Sequence, residues 1–262
     1  PVHIHNQGVV NSMFSDLFVR SIKINGSLPR GSYLNNLPII KSLQKMEQLD
    51  FSQRVTFLVG ENGTGKSTLI EALAVNLGFN PEGGSINFNF ATEDSHSELH
   101  KYLKVTKGIG VRRDGFFLRA ESFYNVASNI DQMDRVAACS PSIIDSYGGV
   151  SLHKQSHGES FLSVVQNRFF GNGLYLLDEP EAALSPMRLL TLMAEMDQLV
   201  KQNSQFIIAT HSPILMAFPG AEILEFSADG IQRVRYEDTE HYQVTKRFLD
   251  NPEKMLQYLL GD

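Results

Sequence analysis

Hydrophobic and polar positions along the chain fall into short apolar runs separated by stretches of helical spacing. "LFVRSIKI" (17–24) predicts a first strand. "RVTFLVG" (54–60) is β-branched and almost continuously apolar, as in a strand covered on both faces of its sheet. "DGFFLRA" (114–120), "GLYLLDEP" (173–180) and "QFIIAT" (205–210) predict three more strands. Between them, Ser67 to Leu77 predicts an amphipathic helix stopped by Gly78. Within 122–150, "NVASNIDQMDRVA" predicts a helix, followed by a turn at Gly148–Gly149. Glu159 to Phe170 reads as a helix closed by Gly171. Ser185 as N-cap and Pro186 at the first helical position open a helix in which Leu189, Leu192, Met193, Met196, Leu199 and Val200 recur at helical spacing. "GSLPRGSYLNNLP" (26–38) reads as loop, and "EILEFSADGIQRVRY" (222–236) as a hairpin turning at Asp229–Gly230. From Glu240 the pattern is helical, interrupted near Pro252. Strands and helices alternate through the middle of the chain, so the expected core is α/β with a largely parallel sheet.

Composition narrows this only a little. The chain has 262 residues, 42% of them hydrophobic, which suits one large domain or one domain with an inserted lobe. Its one cysteine, Cys139, allows no internal disulfide and points to a reducing, intracellular compartment. No run reaches the roughly 18 apolar residues of a membrane span. The opening "PVHIHNQGVVNSMFSDLF" lacks a basic region followed by an apolar one, so no secretory signal is expected. A net charge of −6 gives no general attraction to nucleic acid and leaves a local basic patch as the route to one.

The chemistry concentrates in "FLVGENGTGKSTLIEAL" (57–73). Gly60, Gly65, Lys66 and Ser67 satisfy the G-x-x-x-x-G-K-[ST] pattern, with an apolar strand before it and a helix after it. Glycines let the backbone N–H groups of Gly60, Glu61, Asn62, Gly63, Thr64, Gly65, Lys66, Ser67 and Thr68 wrap phosphates, and the helix N-terminus adds partial positive charge. Lys66 is suited to the β- and γ-phosphates of a nucleoside triphosphate, and the Ser67 hydroxyl to Mg²⁺. Asp178 ends the apolar run "LYLL", at the sheet edge where open α/β folds bind ligands, and is suited to hold Mg²⁺. Glu179 beside it is suited to deprotonate an attacking water. His211, in "IIATHSP", ends another apolar strand at the same edge and can donate to a γ-phosphate or that water.

Order and spacing of these segments resemble the ABC-type ATPase superfamily. "SHGESFL", "GLYLLDEPEAALSP" and "QFIIATHSPIL" together resemble a group of small bacterial ATPases of that type; the resemblance covers about residues 17 to 240, and the closing "EHYQVTKRFLDNPEKML" also fits the group. It implies one ABC-type P-loop domain over 1–262: a mostly parallel core, an N-terminal antiparallel β part, and a helical lobe at about 122–170. It implies ATP and Mg²⁺ as ligands. "EAALSP" resembles the D-loop, with Glu181 where aspartate is usual. "QSHGES" (155–160) stands in the place of the signature loop, so that Ser156, Gly158 and Glu159 would cover ATP held by a second subunit. Gln155, His157 and Glu159 depart from the LSGGQ of transporter subunits, and the S-x-G-E form is more like the soluble ABC-type ATPases, including the SMC and recombination-repair group. Glu121, in "FFLRAESF", is nearest to the place of the Q-loop glutamine and would act on Mg²⁺, on the water, or as a structural residue. Arg30, Tyr33 and Phe51 are candidates to stack on adenine.

The expected activity is ATP hydrolysis by a homodimer that closes around ATP and drives work on a nucleic acid or protein client in the cytoplasm. The short stretch between Glu121 and Ser156 leaves no room for a coiled-coil arm. Two alternatives are an ATP-binding subunit docked on a separate membrane transporter, and a nucleotide switch with negligible turnover.

Overall fold

The computed structural model describes residues 16–86, 97–136 and 143–261. Cys139 and most of the opening stretch read for a secretory signal lie outside them. Among the described residues the strands form two sheets. The smaller is antiparallel: β1 (Val19–Ile24) lies between β2 (Leu49–Asp50) and β4 (Leu103–Lys107). The larger contains β3 (Val55–Gly60), β5 (Asp114–Arg119), β6 (Gly173–Asp178), β7 (Gln205–Ala209), β8 (Glu222–Ser227) and β9 (Gly230–Val234), in the order β5-β6-β7-β3-β8-β9. Five of these strands run parallel; only β9 is antiparallel, to β8.

Alternation along the parallel strands explains the layers. Phe57, Phe116, Leu118, Tyr175, Leu177, Phe206 and Ile208 face one core; Leu58, Phe117, Leu174, Leu176 and Ile207 face the other. The first core is covered by α3 (Phe123–Val136), α4 (His157–Arg168), α5 (Pro186–Lys201) and the short α6 (Pro213–Met216). The second is filled by α2 (Lys66–Asn76), which lies between the two sheets with Leu69, Ile70, Ala72, Leu73 and Ala74 buried. This helix is therefore not amphipathic as expected: it has a sheet on either side, and no broad face is left for water. The chain then closes with α7 (Glu240–Asp250) and α8 (Pro252–Leu260).

Other expectations shift in detail. Residues 26–38 are not all loop: a 3₁₀ turn spans Tyr33–Asn36, and Pro38 opens α1 (Pro38–Lys45), which buries Ile39, Ile40 and Leu43. The helix at 123–136 starts earlier than the "NVASN" segment. The hairpin turn is Ala228–Asp229, with Gly230 already paired to Ser227 at φ +137°. Phe51 is buried in the core, so it cannot stack on a base; Tyr33 and Arg30 are exposed. No helix among the described residues is long and apolar enough to cross a membrane.

Candidate functional site

The parallel strands deliver their C-terminal ends to one edge. Register sets the neighbours: Arg119 lies opposite Asp178, Asp178 opposite Ala209, and Leu58 opposite Ala209. Gly60, Glu179 and His211 follow directly from those ends.

The loop from Gly60 to Gly65 turns through three left-handed glycines, Gly60 (φ +139°), Gly63 (φ +81°) and Gly65 (φ +100°). A side chain at Gly60 would overlap the Phe226 carbonyl oxygen of β8, so only glycine lets β3 pass that close. α1 cushions the loop from below: the Ile39 N–H donates to the Thr64 carbonyl at 3.2 Å, and Ile39 packs where a Gly65 side chain would stand. Gly65 caps α2 without a side-chain bond, so the first amides of the helix remain available to an anion.

Lys66 is buried and folded back on this loop, donating to the carbonyls of Gly60 (2.7 Å) and Glu61 (2.9 Å). Burial lowers its pKa, against the pull of Glu179, Asp178 and Glu181. A cation held at the loop by two backbone carbonyls is a ready partner for phosphate oxygens.

The Ser67 hydroxyl donates to Asp178 Oδ1 at 3.0 Å. Burial pushes Asp178 up to about 6, opposed by Arg119 and the Ser67 bond. Arg119 Nε lies 3.3 Å from Asp178 Oδ2, an ion pair without hydrogen-bond geometry, while its terminal nitrogens reach Glu71 at 2.8 Å and Glu121 at 3.4 Å. Among the described residues no cluster of three or more His, Cys, Asp or Glu could hold a metal. A hydroxyl, one carboxylate and ligand phosphates are instead the donor set that suits Mg²⁺, which keeps water and substrate oxygens in its shell.

Ser67, Glu121, Asp178 and Glu179 line one cavity of about 300 Å³. His157, from the signature-like segment, lines it too. Glu179 adopts a left-handed conformation, φ +50° and ψ +53°, rare for a residue with a side chain and concentrated at functional sites. Its Oε1 stands 3.6 Å from His211 Nε2. Burial, Lys66 and His241 lower the His211 pKa, with Glu179 opposing them. The His211 backbone N–H donates to Glu181, which also accepts the Thr210 hydroxyl at 2.8 Å.

Ser156, Gly158 and Glu159 lie at the start of α4, apart from the phosphate loop in sequence and on the helical side of the sheet. The Ser156 N–H donates to Glu159 at 3.0 Å, and Arg188 of α5 bridges the Ser156 hydroxyl (3.1 Å) and the Glu159 carboxylate (3.0 Å). Sequence reasoning missed Arg119, Arg188 and His241. Arg119 carried a signal, a charge ending an apolar strand; the other two sit on exposed-looking helices where nothing marks them.

Comparison with known proteins agrees with this geometry. Residues 36–136 match the model of an "AAA domain", and residues 152–217 that of an "AAA domain, putative AbiEii toxin, Type IV TA system". The ribose import ATP-binding protein RbsA of Bacillus cereus is 26% identical over 192 residues, 68% of this chain and 38% of that protein. The chain therefore spans well under half of that relative. An uncharacterized ABC transporter ATP-binding protein of Haemophilus influenzae is 27% identical over 189 residues, 65% of this chain and 69% of that protein. These matches make the chain similar to AAA/ABC-type P-loop ATPases. In fold, the chain is similar to cbiO1 of Clostridium perfringens, part of the ABC transporter complex cbiONQ: the TM-score is 0.51 at 17% identity, covering 94% of this chain and 99% of that one.

Proposed function

We propose that this chain hydrolyses ATP with Mg²⁺, closes as a dimer around the nucleotide, and uses the cycle to work on a protein or nucleic-acid partner in the cytoplasm. The observation that carries the reading is the convergence of Lys66, Ser67, Asp178, Glu179 and His211 on one sheet edge. In it, Gly60 to Thr68 cradle the phosphates and Lys66 leaves its two carbonyls for phosphate oxygens. Ser67 and Asp178, with Glu121 at the cavity wall, would hold Mg²⁺, which supplies charge to neutralise the phosphate oxygens. Glu179 takes the proton of the attacking water, and His211 donates to the γ-phosphate. Ser156, Gly158 and Glu159 of one subunit cover the ATP of the other. We read residues 1–262 as one domain, with 122–170 as its helical lobe.

Glu179→Gln tests this. Loss of the base should lower ATP turnover at least about 100-fold, while gel filtration with ATP and Mg²⁺ shows a dimer. Turnover at the native rate, or a monomer that persists with ATP, would overturn it. A second reading, the ATP-binding subunit of a membrane transporter, is favoured by the relatives, whose names include ribose import and ABC transporter proteins. Co-purification of a membrane protein with the Glu179→Gln variant held in ATP would select it.

A further inference from the structure

We infer that His241 positions the catalytic histidine by fixing which of its ring nitrogens carries the proton, so that His211 presents an N–H toward Glu179. What that N–H serves rests on the hydrolysis reading above; the tautomer itself does not.

His211 Nδ1 and His241 Nε2 lie 3.0 Å apart, with the rings 5.1 Å between centres and tilted by 55°. The two outer nitrogens, His211 Nε2 and His241 Nδ1, are buried and make no hydrogen bond. A neutral pair joined by one bond has two arrangements. If His211 Nδ1–H donates to His241, a bare lone pair on His211 Nε2 faces the Glu179 carboxylate 3.6 Å away. If His241 Nε2–H donates to His211, Nε2 carries the proton and faces that carboxylate with an N–H. Lone pair against carboxylate is repulsive and N–H against carboxylate attractive, so the second arrangement is preferred. It is also the one that leaves a donor at the sheet edge for a phosphate oxygen. Burial, with Lys66 nearby, lowers the pKa of both rings against the pull of the neighbouring carboxylates, which favours the neutral form of each.

His241 is held firmly enough for this task. It is the second residue of α7, whose N-cap Thr239 is fully buried. The Thr239 hydroxyl donates to the Tyr236 carbonyl at 2.8 Å and accepts the Tyr242 N–H at 3.3 Å. On the other side, the Glu181 carboxylate anchors the His211 backbone. Both rings thus project from pinned backbone. His241 touches no reacting group; it acts through His211.

Long-range ¹H–¹⁵N NMR of the full chain tests the inference directly. In the native protein His211 should carry its proton on Nε2, with Nδ1 a bare acceptor. His241→Leu should give mixed tautomers and lower kcat about tenfold or more, the usual scale for such supporting partners, with ATP affinity little changed. His241→Gln, whose amide N–H can donate to Nδ1, should restore both. A native Nδ1–H tautomer, or a His241→Leu protein with native tautomer and native kcat, would overturn the inference. If the native protein binds ATP without turning it over, the hydrolysis reading fails while the native NMR spectrum still decides the tautomer.

Discussion

Glu181 and His211 are joined through the backbone: the Glu181 carboxylate accepts the His211 N–H and, at 2.8 Å, the Thr210 hydroxyl. The turn after β6 therefore sets the position of the histidine after β7. Glu181→Ala should leave two shielded donors unpaired and cost about 1 to 3 kcal/mol in urea unfolding. ATP turnover should fall with it. Glu181→Gln keeps one acceptor oxygen and should lose less of both.

Arg119 is enclosed by three carboxylates. Its side chain is 15% exposed, with Glu71 at 12% and Asp178 at 6%. Arg119→Ala strips two buried anions of their cation and should destabilise the fold by about 3 kcal/mol or more. Chemical denaturation would measure the loss, and Glu71→Gln added to Arg119→Ala should recover part of it.

At Gly60 the backbone is left-handed and a methyl group would meet the Phe226 carbonyl. Gly60→Ala should cost about 3 kcal/mol from strain and overlap together. Gly63, also left-handed but with open space around it, should tolerate alanine with a loss of about 1 kcal/mol. The contrast between the two unfolding midpoints is the test.

Asp178 predicts a slope in pH. Its pKa is raised to about 6 by burial, so the folded chain holds a proton that the unfolded chain has released. The contribution is fully present below the ordinary carboxyl range and lost as pH rises through about 6. Stability of the native protein relative to Asp178→Asn should therefore fall by about 1 to 3 kcal/mol between roughly pH 4 and pH 6.5. Urea titrations of both proteins across that range would show it, and parallel curves would exclude it.

Arg188 holds Ser156 and Glu159 at the exposed start of α4. Being exposed, the pairs add little to the monomer, so Arg188→Ala should change its stability by less than about 1 kcal/mol. On the proposed reading, ATP-dependent dimerisation, followed by sedimentation, should nevertheless weaken, because the start of α4 loses the Arg188 bridge.

The local pattern alone marked the parallel strands and the glycine turn between β3 and α2. A continuous apolar run needs a sheet covered on both faces, and G-x-x-x-x-G-K-S after such a run needs left-handed glycines at a helix start. Those are short-range demands, and residues 54–78 state them in full. The edge strand β4 and helix α1 were not legible: β4 is half polar because only one face packs, and α1 is short and follows a loop-like segment. Tertiary structure alone decided who meets whom at the sheet edge. Asp178 reaches Ser67 across 111 positions, Arg119 closes on Asp178, and His241 meets His211, because strand order and register bring their ends together. Those partnerships depend on long-range packing, for which no spacing along the chain is a guide.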